Sequence, residues 1–128
     1  MKQIDDIVLE LPLPPSSLRG NSRSHWAKKN RDFQNLKTHV VAEVISQDIR
    51  EIGWRQANTS AIFFFADRRG YKNDPDNLSS SLKAVWDGLQ SSGVIDNDRN
   101  FTHWPIQIDV DRDRPRLVVC IWPMRNGN

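Results

Sequence analysis

The chain has 128 residues, a length that suits one domain built around a single core. Its formal net charge is only +2, so the chain as a whole is no strong magnet for polyanions, and no apolar run approaches the roughly 18–20 residues that a membrane helix needs. The single cysteine, Cys120, excludes an internal disulfide, and no Cys/His zinc spacing is present. Met1-Lys-Gln-Ile-Asp-Asp lacks a signal-peptide pattern, which makes a cytoplasmic protein the plain expectation.

Ile7 to Leu11 reads as a short strand, ended by Pro12, Pro14 and Pro15. Ser16 to about Asn30 is polar and basic, contains Gly20, and reads as a loop. Phe33, Leu36, Val40, Val41, Val44, Ile45, Ile49 and Ile52 then recur at three- and four-residue spacing. That pattern predicts an amphipathic helix of roughly five turns, with Gly53 as its stop. Thr59 to Phe65 is β-branched and aromatic and predicts a core strand, followed by a turn at Asp67-Arg-Arg-Gly70. Leu78, Leu82, Val85, Trp86 and Leu89 fall in one arc of a second helix, with Ser80, Lys83 and Asp87 opposite and Gly93 as a left-handed cap. Thr102 to Val110 and Arg116 to Trp122 read as two strands, and Asp111 to Pro115 as the hairpin loop between them. Cys120 reads as a buried residue of the last strand. The order predicts an α/β (α+β) layer fold: one mixed sheet of about four to five strands carrying two main helices.

The chemistry concentrates in Asp74-Pro-Asp76-Asn77, Lys83 and Asp96-Asn97-Asp98. Asp74 before Pro75 suits a helix N-cap, and Asp76 a first-turn acid. Carboxylates crowded together raise one another's pKa unless a cation neutralises them. Three at the ends of one helix-and-loop unit therefore point to a hard divalent cation such as magnesium, which takes oxygen ligands. Calcium loops do not fit. Leu78 stands at the fifth position counted from Asp74, and Phe101 at the sixth counted from Asp96, where glycine is required. Basic residues flank the acids: Arg68, Arg69 and Lys72 directly before them, and Arg19, Arg23, Lys28, Lys29 and Arg31 earlier, with His25 and Trp26 among the last group. Basic residues with an aromatic suit phosphate contacts plus stacking. The expected chemistry is metal-assisted phosphodiester hydrolysis, with Lys83 stabilising developing charge.

On these residues the chain resembles the RusA-type Holliday junction resolvases, small endodeoxyribonucleases of bacteria and phages. The resemblance rests on Arg68-Arg69, Asp74-x-Asp76-Asn77-Leu78, Lys83-x-x-x-Asp87-Gly-Leu89, Gly93-Val94 and the acids that follow, and on the opening Leu11-Pro12-x-Pro-Pro15-Ser16. It implies a mixed sheet with helices, a homodimer, and magnesium-dependent (or manganese-supported) paired nicking of four-way DNA junctions. Asp74 and Asp76 match the paired metal-binding aspartates, Lys83 the catalytic lysine and Asp98 the third acid. The family commonly has two adjacent acids where this chain has Asn97-Asp98, so Asp96 is the alternative third ligand. The family's DNA-binding loop falls at the first basic segment. Arg23, Lys28, Lys29, Arg68, Arg69 and Lys72 are the expected phosphate contacts. Trp54, Trp86, Trp104 and Trp122 are expected in the core or a dimer interface. A branched-DNA-binding accessory protein with a weakened metal site is the rival from another class.

Overall fold

The computed structural model describes residues 5–124. The expected frayed tail beyond Met124 lies outside them. The architecture is mixed α and β: one five-stranded sheet with its helices on one face. The strands are β1 (Ile7–Leu11), β2 (Ala57–Phe65), β3 (Phe101–His103), β4 (Gln107–Val110) and β5 (Arg116–Pro123). The helices are α1 (Trp26–Ser46), α2 (Pro75–Ser81) and α3 (Lys83–Ser91). The chain order β, α, β, α, β, β expected from the sequence is present, with the second helix divided in two and the first of the last two strands divided as well.

Sheet order is β1-β5-β2, with β3 and β4 both on the far side of β2. β5 runs antiparallel to both β1 and β2, whereas β3 and β4 run parallel to β2. The expected hairpin between the last two strands is therefore absent: β2 lies between β4 and β5. The reason is burial. Ala57, Thr59, Ala61 and Phe63 of β2 are all buried, and a strand that deep needs a partner along both edges. Residues 111–115 instead pass from one side of β2 to the other. There the Asp111 carboxylate accepts from the backbone N–H of Asp113 and Arg114 and from Arg116 Nη1 at 2.7 Å. These donors, Arg114 N–H foremost, hold the Asp111 pKa below the usual carboxylate value.

The expected strand from Thr102 to Val110 is broken into β3 and β4 at Trp104-Pro105-Ile106. Pro105 has no N–H to give the ladder, and an edge position tolerates this. α2 and α3 form the crossover that parallel strands require.

The core lies between sheet and helices. Ile7, Leu9 and Leu11 of β1 and Leu117, Val119 and Ile121 of β5 meet Leu36, Val40 and Val44 of α1 and Leu78, Leu82, Val85 and Leu89 of α2–α3. The expected arc of the second helix is thus the buried one, with Trp86 half-buried beside it. α1 and α3 approach closely at Gly88, where a Cβ would stand 2.9 Å from Val40 Cβ and Cγ1. Lys37 and Asp87 pair across that contact at 3.2 Å.

α1 begins and ends earlier than its periodicity suggested. His25 caps it, Nδ1 accepting from the Ala27 N–H at 3.1 Å, so Lys28, Lys29 and Arg31 stand on helix rather than loop. It stops at Ser46, well before Gly53, so Ile49 and Ile52 pack from an irregular segment, and Ile45 is exposed. Cys120 is half-buried on the face of β5 away from the helices, not in the main core.

Candidate active site

Asp74 and Asp76 take the positions that helix-end chemistry assigns. Asp74 is the N-cap of α2: its Oδ1 accepts from the Asp76 backbone N–H at 2.9 Å, and Pro75 occupies the first turn. Both aspartates are exposed. Their anionic heads lie where the helix presents unpaired N–H groups, which offsets part of their mutual repulsion.

Lys83 does not continue the same helix. The chain breaks at Leu82, and Lys83 is the first residue of α3. Two of three consecutive serines bond back into the helix at the break. Ser79 Oγ donates to the Asp76 carbonyl at 2.8 Å, and Ser81 Oγ to the Leu78 carbonyl at 2.6 Å. Hydroxyls that bond back into the preceding turn bend helices. The seven-residue spacing from Asp76 to Lys83 is therefore not two regular turns. Asp87, one turn beyond Lys83, pairs with Lys37 of α1.

Lys83 is exposed and stands at the wall of a cavity of about 260 Å³ between the α2–α3 junction and the break in the edge strand. Ser79, Trp86, Thr59, His103 and Trp104 share that wall. His103 and Thr59 are brought together by the parallel register of β2 and β3, and Thr59 Oγ1 and His103 Nδ1 lie 2.6 Å apart. The His103 ring packs on Trp86 with centroids 4.5 Å apart. Burial lowers the His103 pKa from 6.5, against the opposing pull of the Asp98 carboxylate.

Asp98 is thus within electrostatic reach of His103. Asp98 opens a short 3-10 turn, its N–H donating to Gln90 Oε1 of α3 at 2.8 Å. Asp96 lies elsewhere, lining a separate cavity with Gly53, Arg55 and Gln56. Of the two alternatives for the third acid, Asp98 is the one near Lys83's neighbours. Among the described residues, no group of three or more His, Cys, Asp and Glu side chains is gathered to hold a metal ion. The donors are of the hard-oxygen type that magnesium takes, but Asp98 is not drawn together with Asp74 and Asp76 in this geometry.

The first basic segment reaches the acidic helix through its backbone. The Gly20 N–H donates to the Asn77 carbonyl at 3.0 Å, and a Cβ on Gly20 would stand 2.9 Å from Ser80 Oγ. A side chain here would require the Ser80 hydroxyl to turn away. Arg19 and Arg23 therefore flank a contact point within three residues of Asp74.

The expected phosphate contacts divide into two sets. Arg23, Arg68 and Lys72 are exposed with no side-chain partner among the described residues. Lys28 pairs with Asp32 at 3.4 Å, Lys29 Nζ donates to the Ser22 carbonyl at 3.0 Å, and Arg69 forks onto Asp67 at 2.7–3.2 Å. The Arg69 contacts hold the Asp67 pKa down at about 2. Trp26 is exposed at the start of α1. Trp104 is exposed too, which removes the core from its two expected places.

Thr59, Trp86 and His103 were not singled out by sequence as site residues. His103 sits 44 residues from Thr59, and only their shared parallel pairing joins them. Among the described residues no helix is long and apolar enough to cross a membrane.

No family model matches the chain. A protein of Xylella fastidiosa (strain Temecula1 / ATCC 700964), named "Uncharacterized protein", is similar to it: 28% identical over 120 residues, which cover 88% of this chain and 74% of that protein.

Proposed function

We propose that this protein is a magnesium-dependent, structure-selective DNA endonuclease of the RusA type that resolves four-way junctions by paired symmetric nicks. The observation that carries the reading is the docking of the Gly20 loop, with Arg19 and Arg23 beside it, on the helix that begins at Asp74 and Asp76. A basic loop bonded through its backbone to the helix that starts with paired carboxylates supports phosphate contacts close to a hard metal ion. In this reading Asp74, Asp76 and Asp98 hold magnesium, with manganese as a substitute. The ion supplies Lewis-acid polarisation of a phosphoryl oxygen and a nucleophilic water. Lys83 stabilises the charge that develops on the phosphate during attack. Arg23, Arg68 and Lys72 hold the DNA backbone, and Lys28, Lys29 and Arg69 join them by exchanging their present partners for phosphate. A homodimer in the cytoplasm is the form in which two such sites match the symmetry of a junction.

A second reading is a branched-DNA-binding accessory protein. It is favoured by the three acids' not being gathered into one group among the described residues. One experiment separates them: incubation of a labelled four-way junction, and of its linear arms, with magnesium or EDTA. Under the nuclease reading the junction alone receives symmetric magnesium-dependent nicks. Asp76→Asn loses at least ~100-fold of the cutting rate while junction affinity holds or rises, because a negative charge near phosphate is gone. Lys83→Ala cuts more slowly at unchanged affinity. Junction binding without any cutting would establish the accessory reading, and normal cutting by Asp76→Asn would remove the metal-site assignment.

A further inference from the structure

Cleavage by three acids and Lys83 leaves the Thr59–His103 pair without a task. Parallel pairing of β2 with β3 sets both residues on the helix-covered face of the sheet, at the wall of the Lys83 cavity. The His103 ring packs on Trp86, one turn beyond Lys83 on α3, and its Nδ1 lies 2.6 Å from Thr59 Oγ1. These two contacts fix the plane and the direction of the imidazole. Thr59 is buried, and its hydroxyl has no other partner among the described residues. A buried hydroxyl places its proton, so Thr59 Oγ1–H donates to His103 Nδ1. A neutral imidazole that accepts at Nδ1 carries its own proton at Nε2. Burial lowers the His103 pKa, which favours this neutral form. His103 Nε2 has no hydrogen-bond partner among the described residues, and the residue keeps part of its surface open to solvent on the edge strand.

An unpaired N–H in the wall of a small cavity that also holds an ammonium group suits an anion. Lys83 opens α3, where the helix end adds positive potential. The cavity, about 260 Å³, is small enough for one phosphate to reach both side chains. Ser79 of the same wall follows Asp76 by one turn, and Asp98 is within electrostatic reach of His103. The wall residues thus neighbour two of the three acids proposed to hold the metal. We propose that His103 is a second phosphate-contacting residue of this site: its Nε2–H donates to a non-bridging oxygen of the DNA phosphate that Lys83 neutralises, and Thr59 is the positioning residue that holds the imidazole in that tautomer. The inference rests on the nuclease reading for its choice of polymer, and it adds a neutral donor to the charged groups that reading names. Being uncharged, such a donor stabilises charge that develops on the phosphoryl oxygens without repelling a metal ion beside them.

The first test needs no cutting. A long-range nitrogen–proton NMR correlation, recorded in EDTA and assigned by its loss in His103→Gln, reads the His103 tautomer. The proton is expected at Nε2 in wild type and in Thr59→Ser, with that preference lost in Thr59→Val. Titration with inorganic phosphate is expected to shift the His103 Nε2 resonance saturably, and to need about 10-fold more phosphate in Lys83→Ala, the effect of losing one charge-assisted contact. The second test is cutting of a four-way junction in magnesium. His103→Ala should cut about 10- to 100-fold more slowly, the worth of one hydrogen bond to a charged group, and His103→Gln, whose side-chain amide also donates, should recover most of the loss. Thermal midpoints check that each variant folds, and if His103→Ala does not, the wild-type tautomer and phosphate titration decide alone. A wild-type proton at Nδ1, or an Nε2 resonance that phosphate leaves in place, would overturn the assignment. Cutting by His103→Ala at the wild-type rate would overturn it too and leave the nuclease reading intact. A saturable phosphate shift in a protein that cuts no junction would uphold the phosphate contact and remove the nuclease reading.

Discussion

α1 and the α2–α3 pair lie side by side on the same face of the sheet, yet their ends differ in kind. α3 closes with Gly93 N–H on the Gln90 carbonyl and Val94 N–H on the Leu89 carbonyl, Gly93 at φ +82°. α1 closes with the equivalent pair, Asp48 on Ile45 and Ile49 on Val44, but the left-handed residue is Asp48, at φ +56°. At the other ends, α2 opens on Asp74-Pro75, the expected punctuation, and α1 on His25, which is not. Periodicity marks which side chains a helix buries. The residue chemistry at its two ends decides where it starts and stops, and a sequence reading succeeds only where that chemistry takes its common form.

The two closures also differ in what surrounds them. A Cβ on Gly93 would meet the Glu51 backbone, at 2.9 Å from Cα and 3.0 Å from N, so glycine is demanded by contact as well as by φ. Gly53, at φ +69°, has nothing nearer than 3.8 Å. Gly93→Ala should therefore cost about 2–4 kcal/mol, combining left-handed strain with overpacking against a neighbour that cannot yield. Gly53→Ala should cost about 1–2 kcal/mol, the strain alone. Urea unfolding of the two variants checks the difference, and equal losses would mean that the Glu51 contact relaxes freely. Gly93→Ala bears on the site as well. The bonds from Gly53 to the Gly93 carbonyl, from Trp54 to Val94 and from Asp96 to Trp54 lead directly into the segment that carries Asp98.

Asp74 joins the end of a helix to the proposed chemistry, and two substitutions pull these roles apart. Asp74→Ala removes the cap that accepts from the Asp76 N–H and should cost about 1 kcal/mol. Asp74→Asn keeps an acceptor oxygen and should cost only a few tenths of that. Both remove a carboxylate, so under the nuclease reading both abolish junction cutting. Retained cutting by Asp74→Asn, with an unchanged melting midpoint, would make this aspartate a helix cap and nothing more.

The mixed sheet, the buried arc of α2–α3, the Gly93 cap and the positions of Asp74 and Asp76 were legible in the sequence, because each rests on a local signal. The break at Leu82 was less so. Ser79-Ser80-Ser81 reads as polar helix until the hydroxyls are seen to bond back to Asp76 and Leu78. The order of the last strands was not legible. Two strands joined by five residues suggest a hairpin, and only the burial of β2 on both edges reveals that it must lie between them. The cavity at Lys83 depends on that order. His103 stands beside Thr59 because β3 pairs parallel with β2.

The smallest effect is expected at the end of α1. Asp48 sits in the left-handed region, where aspartate is tolerated better than most side chains but glycine is unstrained. Unlike Gly93, it is exposed, so no contact is gained or lost when its side chain is removed. Asp48→Gly relieves the strain and lets the unfolded chain wander more, two terms that oppose each other. Strain relief is the larger, because the hydrogen-bond pair already fixes this residue left-handed in the folded state. A net gain of about 0.5 kcal/mol is expected, read as a small rise in the urea midpoint with an unchanged slope. A loss of stability would mean that the Asp48 side chain contributes something to the end of α1 beyond the conformation it adopts, and the two helix ends would then differ in more than the residue that closes them.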